Sequence, residues 1–168
     1  MKTLIWTHHP GDWLGEAIDF LTHGTAQHAG FMRQNGLIVE AYWPRVRQRA
    51  VLEAEKPFIR PFILRGMTPG LDAAFEAEFD RLLAAPPEYS GEDLFAFLFN
   101  QPNVDEKHTF CSRLVMHTTM NICPAELWPL VRCMGTEQQL PDGTINGGDW
   151  VSPRDLFISP SYLPSSLS

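Results

Sequence analysis

Apolar and polar positions along the 168 residues recur with two different periods, and the switches between them mark the elements. A short apolar run, Leu4-Ile5-Trp6, predicts an opening strand. Pro10-Gly11 then turns the chain into a segment where Leu14, Ala17, Ile18 and Leu21 share one helical face, ended near Gly24. Two strand-like runs follow, Gln27 to Arg33 and Leu37 to Trp43, and Gln34-Asn35-Gly36 between them is a hairpin signal. Further β-type runs cover Val46 to Leu52 and Phe58 to Leu64. Pro57 and Pro61 mark the second of these as an edge strand or a break.

The clearest helix lies between Gly70 and Ala85, where Leu71, Ala74, Phe75, Phe79, Leu82 and Leu83 keep helical spacing until Pro86-Pro87 stops the pattern. Shorter helices are predicted from Glu92 to Phe99, from Cys111 to Met120, and from Ala125 to Arg132 behind Pro124. Gly135 to Trp150 reads as a loop or small hairpin, Ser152-Pro153 as a helix start, and the serine- and proline-rich tail as irregular. Strands early, helices on both sides of them and no regular alternation argue for an α+β fold, an antiparallel sheet packed against helices, in one domain spanning residues 1–168.

The hairpin has a register that can be read. A three-residue loop with glycine last pairs Arg33 with Leu37, so His28 faces Tyr42 and Gly30 faces Glu40. Ala29, Phe31, Leu37, Val39, Ala41 and Trp43 then share an apolar face, while His28 and Glu40 lie diagonally on the other, within side-chain reach. A two-residue loop through Asn35-Gly36 would shift the register by one and separate them. A carboxylate that accepts one imidazole N–H fixes the tautomer and leaves the other nitrogen to exchange a proton with a nucleophile. The same pair could also be a purely structural hydrogen bond.

His108-Thr109-Phe110-Cys111 reads as a loop entering a helix with the cysteine in its first turn. Backbone N–H groups and the positive end of the helix dipole favour a thiolate there and offer donors to an oxyanion. Against this, Cys111, Leu114, Val115 and Thr118 share a helical face, so Cys111 also reads as a core residue. Cys123 and Cys133 are weaker candidates, explained by packing.

Composition narrows the classes. A hydrophobic fraction of 44% and a charged fraction of 20% are ordinary for a globular chain. A formal charge of −7 weighs against nucleic acid or an anionic membrane as the main partner. The local basic run Arg45, Arg47 and Arg49 alternates along a strand and predicts a solvated face rather than a phosphate site. Three cysteines match neither a disulfide framework nor a zinc ligand set and suit a reducing compartment. The N-terminus lacks the apolar centre of a secretory signal, and no apolar run approaches the ~20 residues of a membrane span, which together predict a cytoplasmic location. His8, His9, His23 and His108 have no metal-ligand spacing, and His117 falls on the helix after Cys111.

Several short motifs, in one order, carry a family resemblance. Pro10-Gly11-Asp12, the Ala17-Ile18 to Gly24 segment, Gln27-His28-Ala29-Gly30-Phe31, Ile38-Val39-Glu40-Ala41, Phe110-Cys111-Ser112 and Ser152-Pro153-Arg154-Asp155-Leu156 together resemble the permuted, YiiX-like branch of the NlpC-type papain-like hydrolases. In that branch the order is histidine, acid, cysteine. The resemblance implies a circularly permuted papain-like fold with Cys111 as nucleophile, His28 as base and Glu40 as third member. It also implies a small peptide-like or acyl substrate and no metal or organic cofactor. Amide hydrolysis through an acyl-enzyme is the activity it favours. Lipid acyl transfer and thioester cleavage use the same triad, and a non-catalytic binding domain could keep the same fold. Tyr42 and Tyr89 are candidate substrate contacts. The family often has a glutamate two residues after its cysteine, where this chain has Arg113, and Tyr89-Ser90-Gly91 matches the family's tyrosine region only loosely. Both departures bear on the substrate pocket and neither on the triad.

Overall fold

A computed structural model describes residues 1–8, 26–89, 108–128, 156–157, 159 and 161–167. Eight strands form one sheet: β1 (Lys2–Trp6), β2 (His28–Met32), β3 (Ile38–Tyr42), β4 (Arg45–Arg49), β5 (Ile59–Leu64), β6 (Glu88–Tyr89), β7 (His108–Thr109) and β8 (Tyr162–Pro164). Their order across the sheet is β7-β6-β4-β3-β2-β1-β5-β8. All neighbours are antiparallel except β6 and β7, which run parallel. Among the described residues two helices accompany it, α1 (Pro69–Ala84) and α2 (Cys111–Ile122). The class is therefore α+β. Among the described residues no helix is long and apolar enough to cross a membrane.

The β2–β3 hairpin has the three-residue loop. Gly36 sits at φ 80°, a left-handed conformation that suits glycine, and the Arg33 and Gly36 amides close the loop with bonds to Leu37 O (2.8 Å) and Arg33 O (3.0 Å). Asn35 Oδ1 accepts from Leu37 N, a local turn bond of the kind asparagine favours. Gly30 pairs with Glu40, Phe31 with Val39 and Met32 with Ile38.

That register sorts side chains onto two faces. Ile5, Ala29, Phe31, Val39, Ala41 and Val46 point towards the helices and join Phe75, Phe79, Leu82, Leu114 and Val115 in the main core. Phe31, Phe75 and Phe79 form its aromatic centre, with ring centroids 5.1 to 6.0 Å apart. Leu4, Trp6, Met32, Ile38 and Ile59 make a smaller cluster on the other face. Arg33, beyond the end of β2, clamps the hairpin to α1 through Glu76 and Asp80, both at 2.7 Å, with Gln48 at 2.8 Å.

The tail is not irregular throughout. Residues 162–164 form β8 against β5, and β5 lies inside the sheet rather than at its edge. Pro61 is tolerated there because its carbonyl turns towards the tail and accepts from Ser165 N at 2.9 Å, so the N–H it lacks falls where β8 ends. α1 starts at Pro69, with Thr68 as N-cap, and α2 runs on to Ile122. Behind Pro124 a 3-10 turn covers Ala125–Leu127. The segments 13–24, 92–99 and 135–150 and the Ser152-Pro153 signal lie outside the described residues.

Candidate functional site

The His28–Glu40 pair lies on the face of the sheet opposite the main core, where β2 begins. His28 is the first residue of β2, and pairing Trp6 with His28 and Gly30 with Glu40 puts Trp6, His28, Gly30 and Glu40 on one surface. Gly30 leaves room for the side chains on either side of it. His28 Nε2 lies 3.0 Å from Glu40 Oε2, and both groups are buried, Glu40 completely. The Trp6 ring packs on the imidazole at 5.0 Å between centroids, and the Tyr42 ring meets it edge-on at 6.2 Å.

Cys111 is the first residue of α2, a helix that packs on β2 and β3. Its N-cap is Phe110, in an extended conformation and with no side-chain oxygen to occupy the first-turn amides. An apolar N-cap forgoes the capping bond that a serine or aspartate supplies, and the first-turn N–H groups have no intrahelical acceptor. The Cys111 side chain lies close enough to the His28 ring to act on it through charge and hydrogen bonding. The three residues thus form a chain, sulfur to imidazole to carboxylate.

Electrostatics follow from this chain. Burial works against the imidazolium, but the charge and hydrogen bond of Cys111, followed by those of Glu40, outweigh it and raise the His28 pKa from 6.5 to about 10. For Glu40 burial favours the neutral acid. His28 first and Arg49 second reverse that and hold the carboxyl well below the usual carboxylate range. His28 is therefore cationic and Glu40 anionic at neutral pH.

Two further residues complete the carboxylate's environment. Arg47 Nε donates to Glu40 Oε1 at 2.9 Å, and Arg49 donates from Nε (2.6 Å) to the same oxygen and from a terminal nitrogen (3.2 Å) to Oε2. Arg49 also spans Glu55, with bonds of 2.7 and 2.9 Å. Arg47 and Arg49 are thus not merely a solvated face, whereas Arg45 is exposed. Sequence reasoning missed Arg47, Arg49, Glu55 and Trp6 as parts of the site. The signal was present: carrying the hairpin register across Trp43-Pro44 places Arg47 directly opposite Glu40.

The remaining candidates separate. Tyr42 stays beside His28, with the Arg47 guanidinium 3.9 Å from its ring centroid. Tyr89 is buried in the main core, which is a packing role. Cys123 is buried at the end of α2, and burial pushes its thiol up. Cys133 lies outside the described residues. A cavity of about 490 Å³ between α1 and α2, lined by Glu78, Arg81, Thr109, Leu114, His117 and Thr118 among others, includes none of Cys111, His28 or Glu40. Cys111 itself is only 2% exposed.

No protein-family model matches the sequence, and no curated protein matches it.

Proposed function

We propose that the chain is a cysteine hydrolase with a permuted papain-like fold that cleaves an amide through an acyl-enzyme. One observation carries the reading: His28 bridges Glu40 and Cys111, and the cysteine opens a helix. The motif order His28, Glu40, Cys111 supports it.

In the proposed reaction the Cys111 sulfur attacks the carbonyl carbon, forming a C–S bond and placing negative charge on oxygen. The Cys111 backbone N–H, in the first turn of α2, is the donor that would meet that charge. Collapse breaks the C–N bond, and the His28 imidazolium gives its proton to the leaving amine. Neutral His28 then takes a proton from water, whose oxygen attacks the thioester and releases the acid and the thiol. Glu40 holds the imidazole orientation and stabilises its cationic form throughout. Ester and thioester carbonyls pass through the same steps, so lipid acyl transfer and thioester cleavage belong to the same chemistry.

A second reading, a binding domain without turnover, is favoured by the near-complete burial of Cys111. The two are separated by the alkylation rates of Cys111, Cys123 and Cys133 as a function of pH, read by peptide mass spectrometry in the wild type and in His28→Ala. The hydrolase requires Cys111 to react fastest and to lose that advantage with His28. Equal rates at the three cysteines, or indifference to the loss of His28, would leave the binding domain as the better account.

A further inference from the structure

We infer that Arg45, with Arg47 beside it, forms a subsite for an anionic group of the substrate on the β4 side of His28 and Cys111. This rests on the reading of Cys111 as the nucleophile.

The β3–β4 register aligns Arg45 with Tyr42, Arg47 with Glu40 and Arg49 with Ile38, and alternation places the three arginines on the face that carries His28. They are used unequally. Arg49 is committed to two carboxylates, Glu40 and Glu55. Arg47 gives Glu40 two of its nitrogens, at 2.9 and 2.8 Å, stacks on Tyr42 and keeps its side chain 39% exposed. Arg45 is exposed and, among the described residues, makes no ion pair, not even with Glu88, the residue directly across on β6.

Position gives this spare charge a use. Tyr42 lies between Arg45 and His28 in the register, so the Arg45 backbone stands two strands from that of His28, about 10 Å at the ordinary strand spacing, within the reach of a long side chain. That distance suits a substrate whose carbonyl is at Cys111 and whose acidic group lies a few bonds away. Tyr42 lies between Arg45 and His28 beneath the Arg47 guanidinium, and Trp43, 68% exposed, stands two residues before Arg45 at the β3–β4 turn. Tyrosine, tryptophan and arginine together are the residue types that anchor recognition surfaces. A chain of net charge −7 repels anions as a whole, so an anion that binds here is held by the local arginines. A planar guanidinium recognises a carboxylate through paired hydrogen bonds, which makes an acyl or peptidyl substrate with a free carboxylate the class that fits.

The test compares N-iodoacetyl-β-alanine, which places a carboxylate a few bonds from the reactive carbon, with its neutral carboxamide. Alkylation of Cys111 is timed against Cys123 in the wild type, Arg45→Gln, Arg45→Lys and His28→Ala. The expected result is a rate at Cys111 about threefold to tenfold higher for the carboxylate. The advantage disappears in Arg45→Gln, survives in Arg45→Lys and shrinks at high salt. If both reagents prefer Cys111 in a His28-dependent way but react equally, or if Arg45→Gln changes nothing, the subsite is wrong and the hydrolase reading stands. If neither reagent prefers Cys111 to Cys123, the nucleophile assignment fails and the subsite falls with it.

Discussion

Gly30 and Glu40 face each other across the β2–β3 ladder with no space for another side chain between them. A Cβ on Gly30 would lie 2.9 Å from the Val39 carbonyl oxygen and 3.3 Å from Glu40 Cβ, with Trp6 at 3.5 Å. Neither the backbone oxygen nor the clamped Glu40 can give way cheaply. Gly30→Ala is predicted to cost about 1–3 kcal/mol, the usual range for overpacking, and to slow alkylation of Cys111 by displacing Glu40 from His28. Urea denaturation and alkylation of the same preparation measure both. Wild-type values for the two together would show that the close approach has no consequence.

Arg49 is predicted to matter through its shape as well as its charge. Its planar fork spans Glu40 and Glu55, so Arg49→Lys keeps one cation but cannot reproduce the paired bonds to both. Arg49→Gln leaves two buried carboxylates without their shared cation, a loss of about 3–5 kcal/mol for breaking a buried pair. Thermal unfolding should rank the wild type above Arg49→Lys and Arg49→Gln lowest. A lysine variant as stable as the wild type would contradict the bridging role.

The stability of the folded chain should carry the titration of the His28–Glu40 pair. The folded pKa of His28, about 10, lies above its ordinary 6.5, so the stabilisation from the imidazolium is complete below 6.5 and is lost as pH rises towards 10. Glu40 is depressed, so its contribution is present above 4.5 and disappears as pH falls through the lowered folded value. Between 4.5 and 6.5 both are in full force. His28→Gln should flatten the alkaline decline in melting temperature, and an equally steep decline in that variant would remove His28 as its source.

The same proton sets the alkaline limb of catalysis under the proposed mechanism. Leaving-group protonation needs the imidazolium, so kcat/KM should hold well above pH 6.5 and fall towards pH 10. Glu40→Gln removes the charge that favours the imidazolium and should move that limb to lower pH. An unmoved limb would exclude Glu40 from supporting the base.

In the core, Phe79 touches both Phe31 and Phe75 and is fully buried. Phe79→Ala should cost about 3–5 kcal/mol, because the surrounding rings belong to separate elements and collapse only partly into the void. Denaturant midpoints test this directly.

Legibility in the sequence followed the strength of local constraint. Gly36 at the loop end and the segregation of Phe31, Val39 and Ala41 left one self-consistent hairpin register, and with it the His28–Glu40 contact. The helix at Phe75 and Phe79 was equally plain. β6 and β7, two residues each, are too short for any periodic signal. The strand at Tyr162–Pro164 is imposed by β5, which needs a partner for its outer backbone groups, and nothing within the Ser/Pro-rich tail announces it. Arg47 and Arg49 alternate as residues of a solvated face do, and only the third strand's register distinguishes an arginine over a buried carboxylate from one over water.

The sources of the three chain members have a kinetic consequence. His28 and Glu40 are 12 residues apart and joined by one tight loop, so their contact is local and can form on the ~1–10 μs scale of hairpin closure. Cys111 arrives on a helix from much later in the chain, and its meeting with His28 must wait for slower long-range closure. During synthesis the hairpin is made well before the sulfur emerges. The imidazole meets its thiol only when α2 docks, so an incompletely folded chain carries an ordinary cysteine, and the rate at which Cys111 acquires its partner is a clock for the last stage of folding.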